Sequence, residues 1–248
     1  MLLEVCIDSA HGAAAAQAGG AQRVELCSAL VEGGISPSAG LVKACRAAFS
    51  GALMVMVRPR GGDFLFSEEE QQVMLEDIRQ AKALGADGVV FGALRADGTV
   101  DASATERLWS QAKQLGLDAT FHRAFDMTPD LPQALDTLVR LGIPRVLTSG
   151  GEPTALQGAG TLAALCTQAA GRIRVLAGGG VAPDMAAELV RLTGVTEIHS
   201  AAKRRHASAM TYRRPGMSMC SPHPPKDYEW NTTDADTVRA LLNAVKGG

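Results

Sequence analysis

Short runs rich in β-branched and other apolar residues alternate along the chain with longer Ala/Leu-rich stretches of helical periodicity, at intervals of roughly 25 to 35 residues. The runs predict strands at Leu2–Ile7, Arg23–Cys27, Leu53–Arg58, Gly88–Leu94, Asp118–Arg123, Arg145–Gly150, Arg174–Gly180 and Glu197–Ala202. The clearest helix between them spans Ser67–Leu84, where Ser67 and Glu70 form an S-x-x-E capping box. Others centre on "AAAAQAGG", "PSAGLVKACRAAF", "ATERLWSQAKQLG", "LPQALDTLVRLG", "ALQGAGTLAALCTQAAG", "DMAAELVRLTG" and "DADTVRALLNAV". Eight βα units without a linker or composition break predict an α/β protein, a single-domain (β/α)8 TIM barrel over residues 1–248, in preference to a doubly wound sheet. One segment breaks the cadence. Residues 203–233, between the eighth strand and the last helix, read as a long Pro-rich irregular loop lying over the barrel mouth as a lid or an oligomer contact.

Strand alternation then says which side chains enter the barrel. With Val24 and Leu26 facing the helices, Glu25 and Cys27 face the axis, and so do Glu4 and Cys6, Met54, Met56 and Arg58, and Thr120 and His122. Ionisable groups inside a barrel are costly unless they compensate one another or serve a ligand. Arg58 is therefore expected to meet Glu4 or Glu25, either in a structural network or as part of an acid/base site with Glu25 and His122.

Composition narrows the classes further. A net charge of −2 with no Lys/Arg block gives no attraction to nucleic acid or to an anionic membrane surface, so neither is expected as a partner. No apolar run approaches a membrane span, and the N-terminal "MLLEVCIDSAHG" lacks the pattern of a secretory signal; a soluble cytoplasmic protein is expected. Five cysteines without C-x-x-C spacing read as free thiols, with Cys45 and Cys166 in helical core positions.

Two loops carry candidate anion chemistry. In "VRPRGGDF", Pro59 and Gly61-Gly62 shape a turn that can aim Arg60 over the mouth. In "AGGGVAPD", Gly178, Gly179 and Gly180 precede a helix, with Ser200 after the eighth strand, where backbone N–H groups suit a phosphate or other small anion. "TFHRAFD" adds His122, Arg123 and Asp126 at the fifth strand tip, where an Arg123–Asp126 pair would order the loop. No GxGxxG, GxxxxGK[ST] or HExxH motif is present.

The motifs "RVELCSALVEGGISPSAG", "VRPRGGDFLFSEEE", "DGVVFGALRADGTVD", "TFHRAFDM", "RVLTSGG" and "AGGGV" with "EIHSAA" closely resemble the CutC family, described as copper homeostasis proteins, over nearly the whole chain. The resemblance implies a TIM barrel, a cytoplasmic location, a homo-oligomer (dimer or tetramer) and a link to copper. It also implies thiol ligands on the first two strands, here Cys6 and Cys27, and soft thiolates select Cu(I). Met54 and Met56 would add thioether sulfur, and "MSMCSPH" (Met217 to His223), with Cys220, is a second soft-ligand cluster. Two classes stay open: a copper-binding protein with Cu(I) on Cys6 and Cys27, and a barrel enzyme acting on a small anionic or phosphorylated metabolite. In the second, Glu25 and His122 form the acid/base pair, Arg58 and Arg60 clamp the anion, and Gly178 to Gly180 cradle a phosphate.

Overall fold

The computed structural model describes residues 1–219 and 227–246. Eight parallel strands, β1 (Leu2–Ile7), β2 (Arg23–Leu26), β3 (Ala52–Met56), β4 (Gly88–Phe91), β5 (Asp118–Phe121), β6 (Arg145–Thr148), β7 (Arg174–Gly178) and β8 (Glu197–Ser200), close into a barrel in chain order. β1 pairs with both β2 and β8, which seals it. The helices are α1 (Ala10–Gly19), α2 (Ala39–Ala48), α3 (Glu68–Ala83), α4 (Ala102–Gln114), α5 (Leu131–Leu141), α6 (Ala159–Ala169), α7 (Pro183–Thr193) and, after a ribbon, α8 (Ala235–Lys246). No helix among the described residues is long and apolar enough to cross a membrane.

Local chemistry starts several of these helices. Ser9, Ser38, Ser67, Asp101 and Asp130 each cap a helix by accepting a hydrogen bond from a first-turn N–H, and Ser67 with Glu70 completes the capping box. Outward strand residues Leu3, Val5, Val24, Leu26, Leu53 and Val55 pack with Val42, Cys45, Met74, Ile78, Leu108 and Leu189 of the helices in one main core. Inside the barrel, Cys6, Cys27, Met54, Met56 and Val90 form a separate small cluster. The alternation in "LLEVCI", "RVELC" and "LMVMVR" is therefore the alternation of the two cores.

Seven of the strands end one to three residues earlier than the sequence suggests, β3 at Met56 and β5 at Phe121, for example. The residues left over, including Arg58 and His122, begin the βα loops. A second difference concerns residues 203–233, whose ends are regular. β9 (Lys203–Ala207) and β10 (Glu229–Thr233) pair antiparallel, with His206 opposite Trp230 and their rings stacked at 6.4 Å. Cross-strand pairing satisfies the backbone of these two ends, which form a ribbon, while residues 208–219 between them are irregular as expected. The "MSMCSPH" cluster lies largely outside the described residues, Cys220 included.

The lower barrel is filled with charge. Arg23 bridges Glu4 and Glu197, and Arg145 joins Glu197 at 2.8 Å, Asp118 at 2.9 Å and the Thr120 hydroxyl at 3.1 Å. Glu4 is fully buried, and its guanidinium and imidazole partners hold its carboxyl down to about 2 against the opposing effect of burial. Replacing Arg23 by Met would leave buried Glu4 without its guanidinium partner and Glu197 with one buried arginine fewer, and we expect a loss of about 3–5 kcal/mol in denaturant unfolding. A loss below about 1 kcal/mol would mean that Arg145 alone compensates them.

Candidate functional site

The closure of β8 on β1, which pairs on its other side with β2, assembles a cluster just above this charged layer. Cys6 stands in register with Glu25, and Glu4 with His199. The Glu25 Oε2 lies 3.5 Å from Cys27 Sγ, which donates to it, and 3.7 Å from His199 Nε2. His199 Nδ1 donates to Glu4 Oε1 at 2.8 Å. Ligand atoms of Cys6, Glu25 and Cys27 lie within 4.8 Å of one another, as do those of Glu4, Glu25 and His199.

Proton positions follow from this crowding. Cys27 keeps its proton, pushed well up by its hydrogen bond to Cys6 and by burial. Cys6, which receives that bond and faces His199, is lowered to about 5 despite its burial. Burial alone would lower His199, but Glu25, Cys6 and Glu4 raise it well above an ordinary imidazole. Burial raises Glu25 well above the usual carboxylate range. The cluster thus sets a lowered Cys6 beside a raised His199, with Cys27 and Glu25, both raised, next to them. One oxygen, Glu25 Oε1, is buried without a hydrogen-bond partner.

The cluster is reached from outside. An open pocket of about 590 Å³ at the mouth is lined by Cys6 and His199 at its base and by Arg123, Gly179, Gly180, Ser200 and Lys203 above. Ser200 holds the pocket wall, its hydroxyl donating to Val181 O at 2.7 Å and accepting from Ala202 N at 3.2 Å. Gly178 is needed for packing, since a Cβ there would sit 2.6 Å from Leu147 Cδ1; Gly179, at φ +112, turns the chain beside Ser149 and Arg123. α7 begins behind this turn with Ala182 as its N-cap and no side-chain cap. Arg123 pairs with Asp126 at 2.7 Å, and Asp126 also accepts from Ser149 N and Gly151 N, each at 3.1 Å, tying the loops after β5 and β6 together.

The two strand-tip arginines do different work from an ion pair with Glu4 or Glu25. Arg58 donates to three backbone carbonyls, Glu32 at 2.7 Å, Gly34 at 3.1 Å and Gly62 at 2.7 Å, and its guanidinium lies 4.7 Å from the Phe64 ring centroid. It thereby clamps the loop after β2 to the loop after β3, with Nε left unpartnered. Arg60 turns to the start of α3, pairing with Asp63 at 2.9 Å and with Glu70 at 2.6 Å. Neither lines the pocket around Cys6 and His199. His122 lies apart from the thiols against Phe64, its Nδ1 accepting from Ala124 N at 3.2 Å and its Nε2 buried without a partner.

His199 is the member that inspection of individual motifs passes over, and with it the role of Glu4 as its partner. The parity count that places Glu25 inward, applied to "EIHS", places Glu197 and His199 inward too. Fold and cluster together define a (β/α)8 barrel with two thiols, an imidazole and a carboxyl at its C-terminal mouth. The chain belongs to the CutC family, whose family model matches residues 1–204. It is 46% identical over 245 residues to a family protein CutC of Mesorhizobium japonicum, covering 99% of this chain and 94% of that one. It is 44% identical over 244 residues to the copper homeostasis protein cutC homolog of Homo sapiens, covering 98% and 88%. The crystal structure of the putative copper homeostasis protein CutC from Streptococcus agalactiae superposes with a TM-score of 0.76 at 33% identity, over 81% of this chain and 98% of that one. A thiamine phosphate pyrophosphorylase from Pyrococcus furiosus, at 17% identity and a TM-score of 0.59 over 99% and 96%, shares the fold.

The buried imidazole of His122 gives a test of this geometry. Burial, and secondarily Arg58, lowers its pKa from 6.5 to about 3. Between those values the unfolded chain takes up a proton that the folded protein refuses, so stability falls as pH falls through the window. His122→Asn, which keeps an acceptor for Ala124 N, should flatten the pH dependence of unfolding free energy there. An unchanged slope would show that His122 is not held neutral.

Proposed function

We propose that this copper homeostasis family member holds Cu(I) between the thiols of Cys6 and Cys27, as a cytoplasmic protein that receives and releases the ion at the barrel mouth. The observation that carries the reading is the pair of buried sulfurs at the tips of neighbouring strands, one of them, Cys6, lowered toward the thiolate and lining an open pocket. Cu(I) accepts low coordination and soft donors, so two thiolates suffice. Met54 and Met56 belong to the same buried cluster and surround the sulfurs with apolar and thioether groups that exclude harder cations. Buried reduced thiols fit a reducing compartment, which supports the cytoplasmic reading. The mouse and human relatives, named copper homeostasis protein cutC homologs, support the choice of ion.

A second reading, acid/base chemistry on a small anionic or phosphorylated metabolite, is favoured by a separate observation. Of five buried side-chain polar atoms without a partner among the described residues, three belong to Glu25, Arg58 and His122. Such atoms are expensive to bury, and of the three residues Glu25 stands beside the open pocket, its Oε2 3.7 Å from the lining residue His199. Arg123, Lys203 and the Gly179–Gly180 turn would hold the anion, while Arg60 is committed to α3. Homo-oligomerisation, as dimer or tetramer, is supported by the exposed Met210, Tyr212, Met217, Met219 and Trp230 along the ribbon segment.

In anaerobic competition against a Cu(I) chelator, the wild type should withdraw one copper, and the Cys6→Ser/Cys27→Ser variant should lose that capacity by at least tenfold. A double variant that competes as well as wild type would remove the thiols from any copper role. Millimolar phosphate raising the melting temperature of wild type would support the second reading, and no shift would count against its phosphorylated form.

A further inference from the structure

Cu(I) needs only the two sulfurs, yet the cluster around them holds more donors than that. We propose that Cys6, Cys27, His199 and Glu25 together form a four-donor site for a divalent cation of the zinc class, with Glu4 as the residue that orients the imidazole. This site shares its thiols with the Cu(I) reading but stands on the nitrogen and oxygen donors that reading leaves unused.

Geometry supplies the first ground. In a tetrahedral zinc site with bonds of about 2.0–2.3 Å, neighbouring donor atoms lie roughly 3.3–3.8 Å apart. Glu25 Oε2 is 3.5 Å from Cys27 Sγ and 3.7 Å from His199 Nε2, both within that range. Cys6, Glu25 and Cys27 have ligand atoms within 4.8 Å of one another, and His199 stands with Glu4 and Glu25 in a second such group, so Glu25 is the donor that joins the imidazole to the thiols. Three adjacent strands, β8, β1 and β2, contribute His199, Cys6 and Glu25, and Cys27 follows β2 directly with its N–H bonded to Ile7 O at 2.9 Å, so the barrel wall fixes their spacing.

The second ground is the support around the imidazole. Its Nδ1–H is given to Glu4 Oε1 at 2.8 Å, which leaves Nε2 on the side of Glu25 and the thiols. A carboxylate behind a histidine is the usual outer support of a metal-bound imidazole. Glu4 is itself held by Arg23, so the imidazole is braced from the interior of the barrel. The third ground is the other oxygen of Glu25: Oε1 is buried with no hydrogen-bond partner, and a cation gripped by both oxygens of the carboxylate would satisfy it. Sulfur, imidazole and carboxylate together suit zinc and its spectroscopic surrogate Co(II) better than they suit Cu(I). The pocket reaching Cys6 and His199 gives a hydrated ion its route in.

Co(II) titrated anaerobically into the purified full chain tests this. The expected result is one equivalent bound, with intense visible absorption of tetrahedral cobalt, sulfur-to-cobalt charge transfer in the near ultraviolet, and displacement of both by Zn(II). His199→Gln and the near-isosteric Glu25→Gln should each weaken Zn(II) binding at least tenfold and lose the tetrahedral spectrum, with circular dichroism and melting curves showing that each is folded. Glu4→Gln should weaken Zn(II) by roughly 10- to 100-fold while retaining the tetrahedral spectrum at saturation, as an orienting residue does. Weak pale octahedral cobalt without charge transfer in wild type would overturn the proposal, as would unchanged spectra in folded His199→Gln and Glu25→Gln. The two metal readings separate on the wild type. Cu(I) withdrawal with only octahedral cobalt leaves the copper reading standing and sinks this one, and tetrahedral cobalt without Cu(I) withdrawal does the reverse.

Discussion

The buried pair of Glu4 and Arg23 is the interaction on which the rest of this barrel depends. Glu4 is 0% exposed, and an unpaired carboxylate at that depth would cost several kcal/mol. Arg23 neutralises it from β2 and reaches across to Glu197 on β8, where Arg145 from β6 arrives as well. Charge therefore fills the lower barrel where many barrels place branched aliphatic side chains. The arrangement stitches β1, β2, β6 and β8 together through side chains, in addition to the ladder. A filling of this kind is a weak source of net stability, but it specifies one register, because a one-residue slip of any strand would turn a charge toward the apolar helices.

Glu4 also looks upward. The carboxylate that Arg23 neutralises takes the Nδ1–H of His199, and His199 in turn faces Cys6 and Glu25. Electrostatics at the mouth are thus inherited from the filling below. A lowered Cys6 beside a raised His199 and a raised Cys27 is what a compact buried thiol pair does when one imidazole is available. Arg58 contributes to the same rigidity by different means, holding the loops after β2 and β3 through backbone carbonyls, so that Cys27 and Gly34 beside it stay fixed.

Much of this was legible in the sequence, because two periods dominate it. The βα cadence follows from hydrophobic pattern alone, and strand parity correctly separated Val24 and Leu26 from Glu25 and Cys27, since the two faces of a barrel strand meet different cores. Strand ends were less legible. Arg58, Leu94 and Arg123 continue the residue pattern of their strands, but the ladder stops earlier as the chain bends into loops held by side chain to backbone bonds, which no local pattern encodes. Partner choice was illegible for a related reason. Arg58 and the buried glutamates share a parity, yet the guanidiniums that meet Glu4 and Glu197 are Arg23 and Arg145 at the first positions of their strands. His199 comes to Glu4 only because the eighth strand closes on the first, a separation of 195 residues. The ribbon of β9 and β10 was read as irregular because its two strands are short, polar and far apart in sequence.

The central claim is that the sulfurs of Cys6 and Cys27 are the seat of copper in this barrel. Crystals grown anaerobically with one equivalent of Cu(I) and measured on both sides of the copper absorption edge test it directly. The account predicts a single anomalous difference peak between Cys6 Sγ and Cys27 Sγ at the floor of the pocket, within bonding distance of both. A map with no peak there, or with copper only on exposed sulfurs such as Met217 or Met219, would contradict it.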